Sequence, residues 1–370
     1  MALPLIILLF IIYGYSLLIL LFHLEIDKES DLSPDLREPP YAVSVVVPFK
    51  NEEDHLAGLI EDFSRQIFPA DHMEILFVDD HSMDGSAAIV KSSMGKRVNI
   101  RYLALPTASS GKKKALAHGI QNAKHDRIIQ VDADCHIGPG FISSHVCFLQ
   151  KHPSDLVAGM VTTWRGKGNF LEIFDRLDIL SLIGTGAGSF NVGRPMMCSG
   201  ANLSYSRELY WETRVFDPED AVASGDDMFL MIGARKLGRS LSFISSKDSL
   251  VKTAPQKDLR SLLAQRIRWG SKAGKLKMID IQLLALLVVL TNLSIFLMPL
   301  WLLLFSAWWP WLVGAWLIKS LADFMMLFKV SGLVGSRSDL KLFLPVSLLY
   351  YPYFLLLVFG ALFRRPEWKV

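Results

Sequence analysis

Arg127-Ile128-Ile129-Gln130-Val131-Asp132-Ala133-Asp134 is the stretch from which the fold of this chain can be read. Residues 127–131 read as a buried strand, and the next three residues set two carboxylates at its carboxyl end. Carboxylates at that end of a parallel strand sit where an open α/β sheet binds its ligand. Two carboxylates one residue apart cannot enter a core unpaired, because burying an isolated charge costs several kcal/mol or more. A hard divalent cation carrying a diphosphate would remove that cost. The plainer reading is a capped turn after a strand, and acid-x-acid alone is a weak signal.

The neighbouring segments repeat the pattern. Val43-Ser44-Val45-Val46-Val47-Pro48 is a β-branched run closed by proline, and a helical segment follows over 51–66. Glu74-Ile75-Leu76-Phe77-Val78 is a second strand, closed by the turn-rich Asp79-Asp80-His81-Ser82-Met83-Asp84-Gly85-Ser86, in which Asp84 or Ser82 can cap the next helix. Residues 99–103 give a third strand and 113–124 a helix before the strand that opened this reading. Strands and helices alternating at this spacing predict an α/β domain with a doubly wound, parallel sheet. Beyond Asp134 the expectations are helices over 141–151 and 170–183 and a strand over 155–163. Gly184-Thr185-Gly186-Ala187-Gly188 has no strand before it and no Lys-Ser/Thr after it, so it reads as a flexible connection, not a phosphate loop.

Several residues carry candidate chemistry. Asp79 and Asp80 end the second strand, where they either bind the nucleoside of the same ligand or hold the loop as an Asx-turn. Gly200 and Ala201, within Ser199-Gly200-Ala201-Asn202-Leu203, are small enough to let backbone approach a ligand. Ser224-Gly225-Asp226-Asp227 opens a helix over 228–237, whose N-terminus favours negative charge. Asp226 and Asp227 are candidates for a general base, and capping by Asp226 would leave Asp227 for proton abstraction. Lys112, Lys113 and Lys114 follow Gly111, either as a solvated helix start or with one lysine reaching phosphate. His55, His81, His118 and His136 show no metal-ligand spacing.

Composition sets the surroundings. The chain has 370 residues, 51% of them hydrophobic, and a mean hydropathy of +0.32, more apolar than a soluble protein of this size needs. The excess is concentrated at the two ends. Residues 1–24 contain an uncharged apolar run with no Lys or Arg before it and no small-residue cleavage pattern after it, which reads as an uncleaved membrane anchor. Residues 279–364 supply two to three further spans, two of them joined near Trp308-Trp309-Pro310-Trp311 and the last interrupted by Pro345 and Pro352. Between them lie a globular domain over 40–255 and a basic, interfacial amphipathic segment over 256–278 containing Gln265-Arg266-Ile267-Arg268-Trp269. Lys272, Lys275 and Lys277, with Arg260, Arg266 and Arg268, argue that the globular domain faces the cytoplasm. Three later spans then leave Arg364 and Arg365 outside, against the same rule, so either the last segment is re-entrant at its prolines or one span is miscounted. A net charge of +3 without a basic, aromatic-laced stripe argues against a nucleic-acid partner. Cys135, Cys147 and Cys198 are too few and scattered for a disulfide framework.

Taken in order, Val46-Val47-Pro48-Phe49-Lys50-Asn51-Glu52, Val78 to Ser86, Asp132-Ala133-Asp134, Gly225-Asp226-Asp227 and Gln265-Arg266-Ile267-Arg268-Trp269 closely resemble family 2 glycosyltransferases. The resemblance covers residues 43 to 275 and is strongest to the membrane-bound branch of hyaluronan, chitin and cellulose synthases and ceramide glucosyltransferases. It implies a GT-A fold, a nucleotide-sugar donor that is usually a UDP-sugar, a Mg²⁺ or Mn²⁺ ion, and inversion at the anomeric carbon. Carried over by position, Pro48, Asn51, Glu52, Asp79 and Asp80 match the nucleoside-binding segments, and Lys112 a lysine near the donor. Asp132 and Asp134 match the metal and diphosphate motif, and Asp227 the catalytic base. Gln265, Arg268 and Trp269 match the motif that holds the diphosphate and the acceptor end, and Gly200, Ala201 and Asp226 are grouped with them. The chain departs from the common pattern at Ala117, where asparagine is usual, and at Gly225-Asp226, where many relatives have Thr-Glu.

The resemblance therefore implies an integral membrane enzyme, in a bacterial inner membrane with its catalytic domain cytoplasmic or in an internal eukaryotic membrane. A single transfer to a lipid or lipid-linked acceptor is the expectation, because about four spans are few for the channel that a processive polysaccharide synthase needs. The rival from another class is a nucleotide-sugar-binding membrane protein without turnover. A nucleotidyltransferase would have no need of Arg268-Trp269 or of the spans.

Overall fold

A computed structural model describes residues 3–26, 41–95, 98–216, 225–271 and 278–363. Ser224, Lys272, Lys275, Lys277, Arg364 and Arg365 lie outside the described residues. In chain order the elements are α1 (Leu3–Glu25), β1 (Val43–Phe49), α2 (Glu53–Ser64), β2 (Met73–Asp79), α3 (Ser86–Ser93), β3 (Ile100–Ala104), α4 (Lys112–Gln121) and β4 (Arg127–Gln130). Next come β5 (Cys135–Ile137), α5 (Phe141–Lys151), β6 (Leu156–Gly159), β7 (Val161–Thr163), α6 (Phe170–Asn191), β8 (Leu203–Ser206), α7 (Arg207–Thr213) and α8 (Asp226–Lys236). The chain ends with β9 (Leu241–Ile244), β10 (Val251–Thr253), α9 (Leu259–Gly270), α10 (Ile279–Phe296), α11 (Met298–Leu304), α12 (Trp309–Leu333) and α13 (Phe343–Phe363). The described residues divide into two compact units: 41–164 with 197–254, and 3–26 with 165–196 and 255–363.

The first unit is built on a seven-stranded sheet of order β3-β2-β1-β4-β8-β6-β9. Its first four strands are parallel, as expected from their spacing. The sheet is nevertheless mixed, because β8 runs antiparallel to both β4 and β6. A buried strand has the same apolar pattern in either direction, so the sequence carries no signal for this reversal. Pro48 is tolerated inside β1 because its missing N–H falls beyond the last β1–β4 pair, Val46 with Gln130.

The strand expected over 155–163 is two strands in two sheets. It breaks after Gly159, where a Cβ would come within 2.5 Å of Asn202 Nδ2. Residues 161–163 then join a second, three-stranded sheet of order β5-β10-β7. Only glycine lets the buried Asn202 amide approach so closely.

Among the described residues, the second unit contains four helices long and apolar enough to cross a membrane, within Leu3–Glu25, Ile279–Phe296, Ser306–Leu333 and Arg337–Phe363. Leu5, Leu8, Leu9 and Ile12 of α1 pack with Ile295, Leu312, Ala315 and Tyr351. α13 runs through Pro352 without a break, so the last apolar segment is a helix and not a re-entrant turn at that proline. Gly184 to Gly188, expected as a flexible connection, lie inside α6. A Cβ on Gly184 would meet Met326 Sδ at 2.6 Å, and one on Gly188 would meet Phe22 Cβ at 2.5 Å. The glycines therefore serve close packing against α12 and α1, a use that composition does not distinguish from flexibility.

Candidate active site

The parallel strands β1, β2 and β4 end side by side, and each end carries residues singled out from the sequence. Asn51, at φ +53°, follows β1; its N–H donates to Ser82 Oγ at 3.0 Å and its Oδ1 accepts the Met83 N–H at 2.8 Å. The Glu52 N–H donates to Ser86 Oγ at 2.8 Å, so the loops after β1 and β2 are stitched together. Asp79 is buried; its Oδ1 accepts the Ser82 N–H at 2.9 Å and its Oδ2 the Tyr102 hydroxyl at 2.8 Å. Burial, together with that carboxylate, pushes the Tyr102 phenol up to about 12. Asp80 Oδ2 accepts the N–H of Gly111 at 2.9 Å. Both acids thus hold loops, and Asp80 holds the one that leads into Lys112.

Lys112 is the first residue of α4, after Gly111 at φ +109°, where an L side chain would be strained. Its Nζ lies 2.6 Å from Asp132 Oδ1. Lys113 is buried with its ammonium 4.8 Å from the Phe229 ring centre, and Lys114 is exposed. The geometry selects Lys112 from the three. Burial alone would lower its pKa, but Asp132, Asp226 and Asp227 together raise it well above the ordinary lysine value. Asp132 is itself raised by burial, opposed by Lys112 and reinforced by Asp134 and Asp226.

Asp226 and Asp227 are the first two residues of α8, after Gly225 at φ +101°. That left-handed conformation favours glycine where many relatives of the resembled family carry threonine. Asp227 Oδ2 accepts the N–H of Gly200 at 3.0 Å, and its Oδ1 accepts the N–H of Met228 at 2.8 Å. A Cβ on Gly200 would lie 2.9 Å from Gln130 Nε2 and 3.5 Å from Asp227 Cβ, so the close backbone approach expected there is made to these side chains. Ala201 is buried beside it, its N–H donating to Ser199 Oγ at 3.4 Å. Asp226 Oδ2 accepts from Gln130 Nε2 at 2.8 Å, and Gln130 Oε1 accepts the Tyr205 hydroxyl at 2.9 Å. Gln130 and Tyr205 were not among the sequence candidates; the available signal was a lone amide in a buried strand. A small, open recess beside this pair is lined by Tyr210, Thr213, Arg214, Asp226 and Leu230.

The donor set suits a hard cation. Asp132, Asp134, Asp226 and Asp227 all act on this one region, and Lys112 is ion-paired to Asp132 there. Asp134 Oδ2 accepts the Thr253 hydroxyl at 3.3 Å. Among the described residues no three His, Cys, Asp or Glu side chains are grouped to hold a metal by themselves. Mg²⁺-type ions are ordinarily held by one or two carboxylates and completed by substrate phosphates, and Asp132 with Asp134 fit that pattern.

Gln265, Arg268 and Trp269 belong to the other unit, on α9, whose first turn is capped by Asp258 Oδ1 accepting the Ser261 N–H at 2.7 Å. The anchor of this helix is Arg266, which the sequence reading had not singled out for a site role. Its Nη2 donates to Asp175 Oδ1 at 2.5 Å and its Nε to Asp178 Oδ2 at 2.7 Å, both on α6. The Tyr353 hydroxyl also donates to Asp178 Oδ2, at 3.1 Å, and Gln265 Oε1 accepts from Arg266. Arg268 is half-buried, and Trp269 is exposed with its ring centre 4.4 Å from the Arg266 guanidinium.

The family model described as glycosyl transferase family 2 matches residues 44–214. Those residues are a glycosyl transferase family 2 domain. The match takes in Pro48, Asn51, Glu52, Asp79, Asp80, Lys112, Asp132, Asp134, Gly200 and Ala201, while Asp226, Asp227 and α9 lie beyond it. The enzyme class expected from the motifs, a family 2 glycosyltransferase, is thus the class of this domain. The poly(ribitol-phosphate) beta-N-acetylglucosaminyltransferase TarS of Staphylococcus aureus is 24% identical over 208 residues, covering 55% of this chain and 34% of that protein. The undecaprenyl-phosphate 4-deoxy-4-formamido-L-arabinose transferase of Edwardsiella ictaluri is 37% identical over 102 residues, 26% of this chain and 30% of its own length. The chain thus spans about a third of the length of these curated relatives. A mannosyltransferase from Pyrobaculum calidifontis, solved with GDP-Man and Mn²⁺, superposes with a TM-score of 0.57 at 18% identity, over 97% of both chains. At that identity the likeness establishes the GT-A-like fold of the family 2 domain.

Proposed function

We propose that this protein is a membrane-anchored, inverting glycosyltransferase that moves a sugar from a nucleotide-sugar, with UDP as the expected leaving group, to a hydroxyl of a lipid or lipid-linked acceptor. The observation that carries the reading is the cluster in which Lys112 pairs with Asp132 while Asp227, held by the Gly200 N–H, stands in the same charged group. The domain family supports the donor class. The relatives named for poly(ribitol-phosphate) and for undecaprenyl phosphate support an acceptor that is phosphate-bearing or carried on a lipid. The four long apolar helices support a membrane location, for which we retain the cytoplasmic orientation of the transferase domain.

In this mechanism Asp227 accepts the proton of the acceptor hydroxyl, whose oxygen attacks the anomeric carbon from the face opposite the nucleotide. The carbon–oxygen bond to the diphosphate breaks, and the leaving group departs with the electron pair. Two backbone N–H groups, of Gly200 and Met228, orient the Asp227 carboxylate for that transfer. Asp132 and Asp134 would hold a Mg²⁺ or Mn²⁺ ion, which when bound neutralises charge on the departing diphosphate. Lys112 adds a fixed positive charge beside them. Asn51, Glu52, Asp79 and Asp80 shape the strand-tip loops for the nucleoside. Gln265, Arg268 and Trp269 are assigned to the diphosphate and acceptor end by the resemblance alone, and their substitution tests that part separately.

The test is nucleotide release from UDP- and GDP-sugars by nanodisc-purified protein, with lipid extract and with Mg²⁺, Mn²⁺ or EDTA, beside Asp227→Asn. Metal-dependent release from one donor, lowered about 10²- to 10⁴-fold in Asp227→Asn, is the expected result. Folded protein that releases nucleotide from none of the donors would sink the reading in favour of a binding role.

A further inference from the structure

The transferase reading leaves Gln130 and Tyr205 unused, although both are buried polar side chains joined to the acidic pair. Tyr205 is 0% exposed and Gln130 1% exposed, so each polar atom needs a partner. The direction of the chain of hydrogen bonds is fixed by chemistry. A carboxylate only accepts, so the amide presents Nε2 to Asp226 Oδ2 at 2.8 Å; its Oε1 must then face the Tyr205 hydroxyl, 2.9 Å away, which donates. The Tyr205 ring is held by stacking on Tyr210, with ring centres 6.0 Å apart and planes 17° from parallel.

We propose that Gln130 and Tyr205 are positioning residues for the Asp226–Asp227 pair, tying the start of α8 to the strand that ends two residues before Asp132. Gln130 closes β4, opposite Val46 of β1 and Leu203 of β8, and is therefore anchored in the middle of the sheet. Its amide reaches both supports of the acidic pair. It bonds Asp226 directly, and it lies 2.9 Å from the point where a Gly200 Cβ would stand, while the Gly200 N–H holds Asp227. The amide thus sets the spacing between the carboxylate that receives the proton and the strand end assigned to the donor. The inference rests on the transferase reading and adds to it the parts that hold the base in register.

The experiment measures kcat, donor KM and donor Kd in nanodiscs for Gln130→Met, Gln130→Glu, Tyr205→Phe and the Gln130→Met/Tyr205→Phe double variant, with Asp227→Asn alongside. Gln130→Met keeps the length and removes the donor, and Gln130→Glu keeps the shape but cannot donate as a carboxylate. Misplacing a reacting group by about 1 Å costs about 10²-fold in rate. The expected result is a kcat loss of about 10- to 100-fold in both Gln130 variants and several-fold in Tyr205→Phe, with donor Kd within about twofold of wild type. The double variant should be no slower than Gln130→Met, because Tyr205 acts through the amide; independent packing losses would add. A kcat within about threefold of wild type in Gln130→Met, a loss confined to KM, or additive losses would each overturn the proposal. If Asp227→Asn is inactive while the Gln130 variants are normal, only this inference fails; an inactive wild type, or full activity in Asp227→Asn, overturns both.

Discussion

Lys112 Nζ lies 2.6 Å from Asp132 Oδ1, joining the first residue of α4 to the acidic end of β4. On the proposed reading Asp132 would also hold the metal ion, so the ammonium would compete with that ion when no diphosphate is present and act with it when one is. Lys112→Met keeps the stem and removes the charge. Turnover is expected to fall by about 10²-fold, while the nucleotide-free protein binds Mn²⁺ more tightly. Titration calorimetry with Mn²⁺ alone reads the second effect, and weaker Mn²⁺ binding in the variant would contradict this relationship.

Arg266 is buried between Asp175 and Asp178, and removing it leaves two carboxylates without their cation. Breaking a buried pair from one side costs about 3–5 kcal/mol. Arg266→Ala is therefore expected to lower the thermal midpoint in detergent markedly and to reduce yield. The comparison is Arg260→Ala, at an exposed position of the same helix, which should leave the midpoint nearly unchanged. Equal midpoints for the two variants would remove the case for Arg266 as the anchor of α9.

Gly188 and Gly14 make a matched pair in the unit that holds the apolar helices. A Cβ at Gly188 meets Phe22 Cβ at 2.5 Å and the Phe22 carbonyl oxygen at 2.6 Å, whereas a Cβ at Gly14 meets nothing within 4 Å. Gly188→Ala must push α6 from α1, at about 1–3 kcal/mol. Gly14→Ala removes a flexible residue from α1 and is expected to be neutral or to stabilise by up to about 1 kcal/mol. Thermal unfolding of the two variants should move in opposite directions, or Gly188 alone should move.

His145 is buried in α5, its Nε2–H facing Asn202 Oδ1 at 2.9 Å and its Nδ1 facing the Ser204 hydroxyl at 3.3 Å. Asn202 spends both amide hydrogens on the carbonyls of Met160 and Ser249, so its oxygen faces the ring. Burial, with Arg127 nearby and against the Asn202 bond, lowers the ring from 6.5 to about 4. The unfolded chain therefore binds more protons than the fold between those values. Stability from this group is full above pH 6.5 and is lost as pH falls toward 4, by on the order of 3 kcal/mol. Unfolding midpoints between pH 7.5 and 4.5 should fall more steeply for wild type than for His145→Gln, and identical slopes would refute the assignment.

The sequence by itself determined the strand ends and the long apolar helices. β1, β2 and β4 are short β-branched runs ended by proline or acid, and the four apolar helices follow from length and hydropathy, both local properties. It also brought out Asp132 and Asp134, because charge beside a buried strand is conspicuous in one dimension, and Asp227 and the lysine cluster, which follow a glycine at a helix start. Only the tertiary structure decided the direction of β8, the division of 155–163 between two sheets, the helical packing of Gly184 and Gly188, and the partners of Gln130 and Arg266. Each depends on a partner distant in the chain: Gln130 on Asp226 and Tyr205, Arg266 on Asp175 and Asp178, Gly188 on Phe22. Periodicity records which face of an element is apolar, whereas the partner of a buried polar group or the neighbour of a glycine is set by how the elements come together.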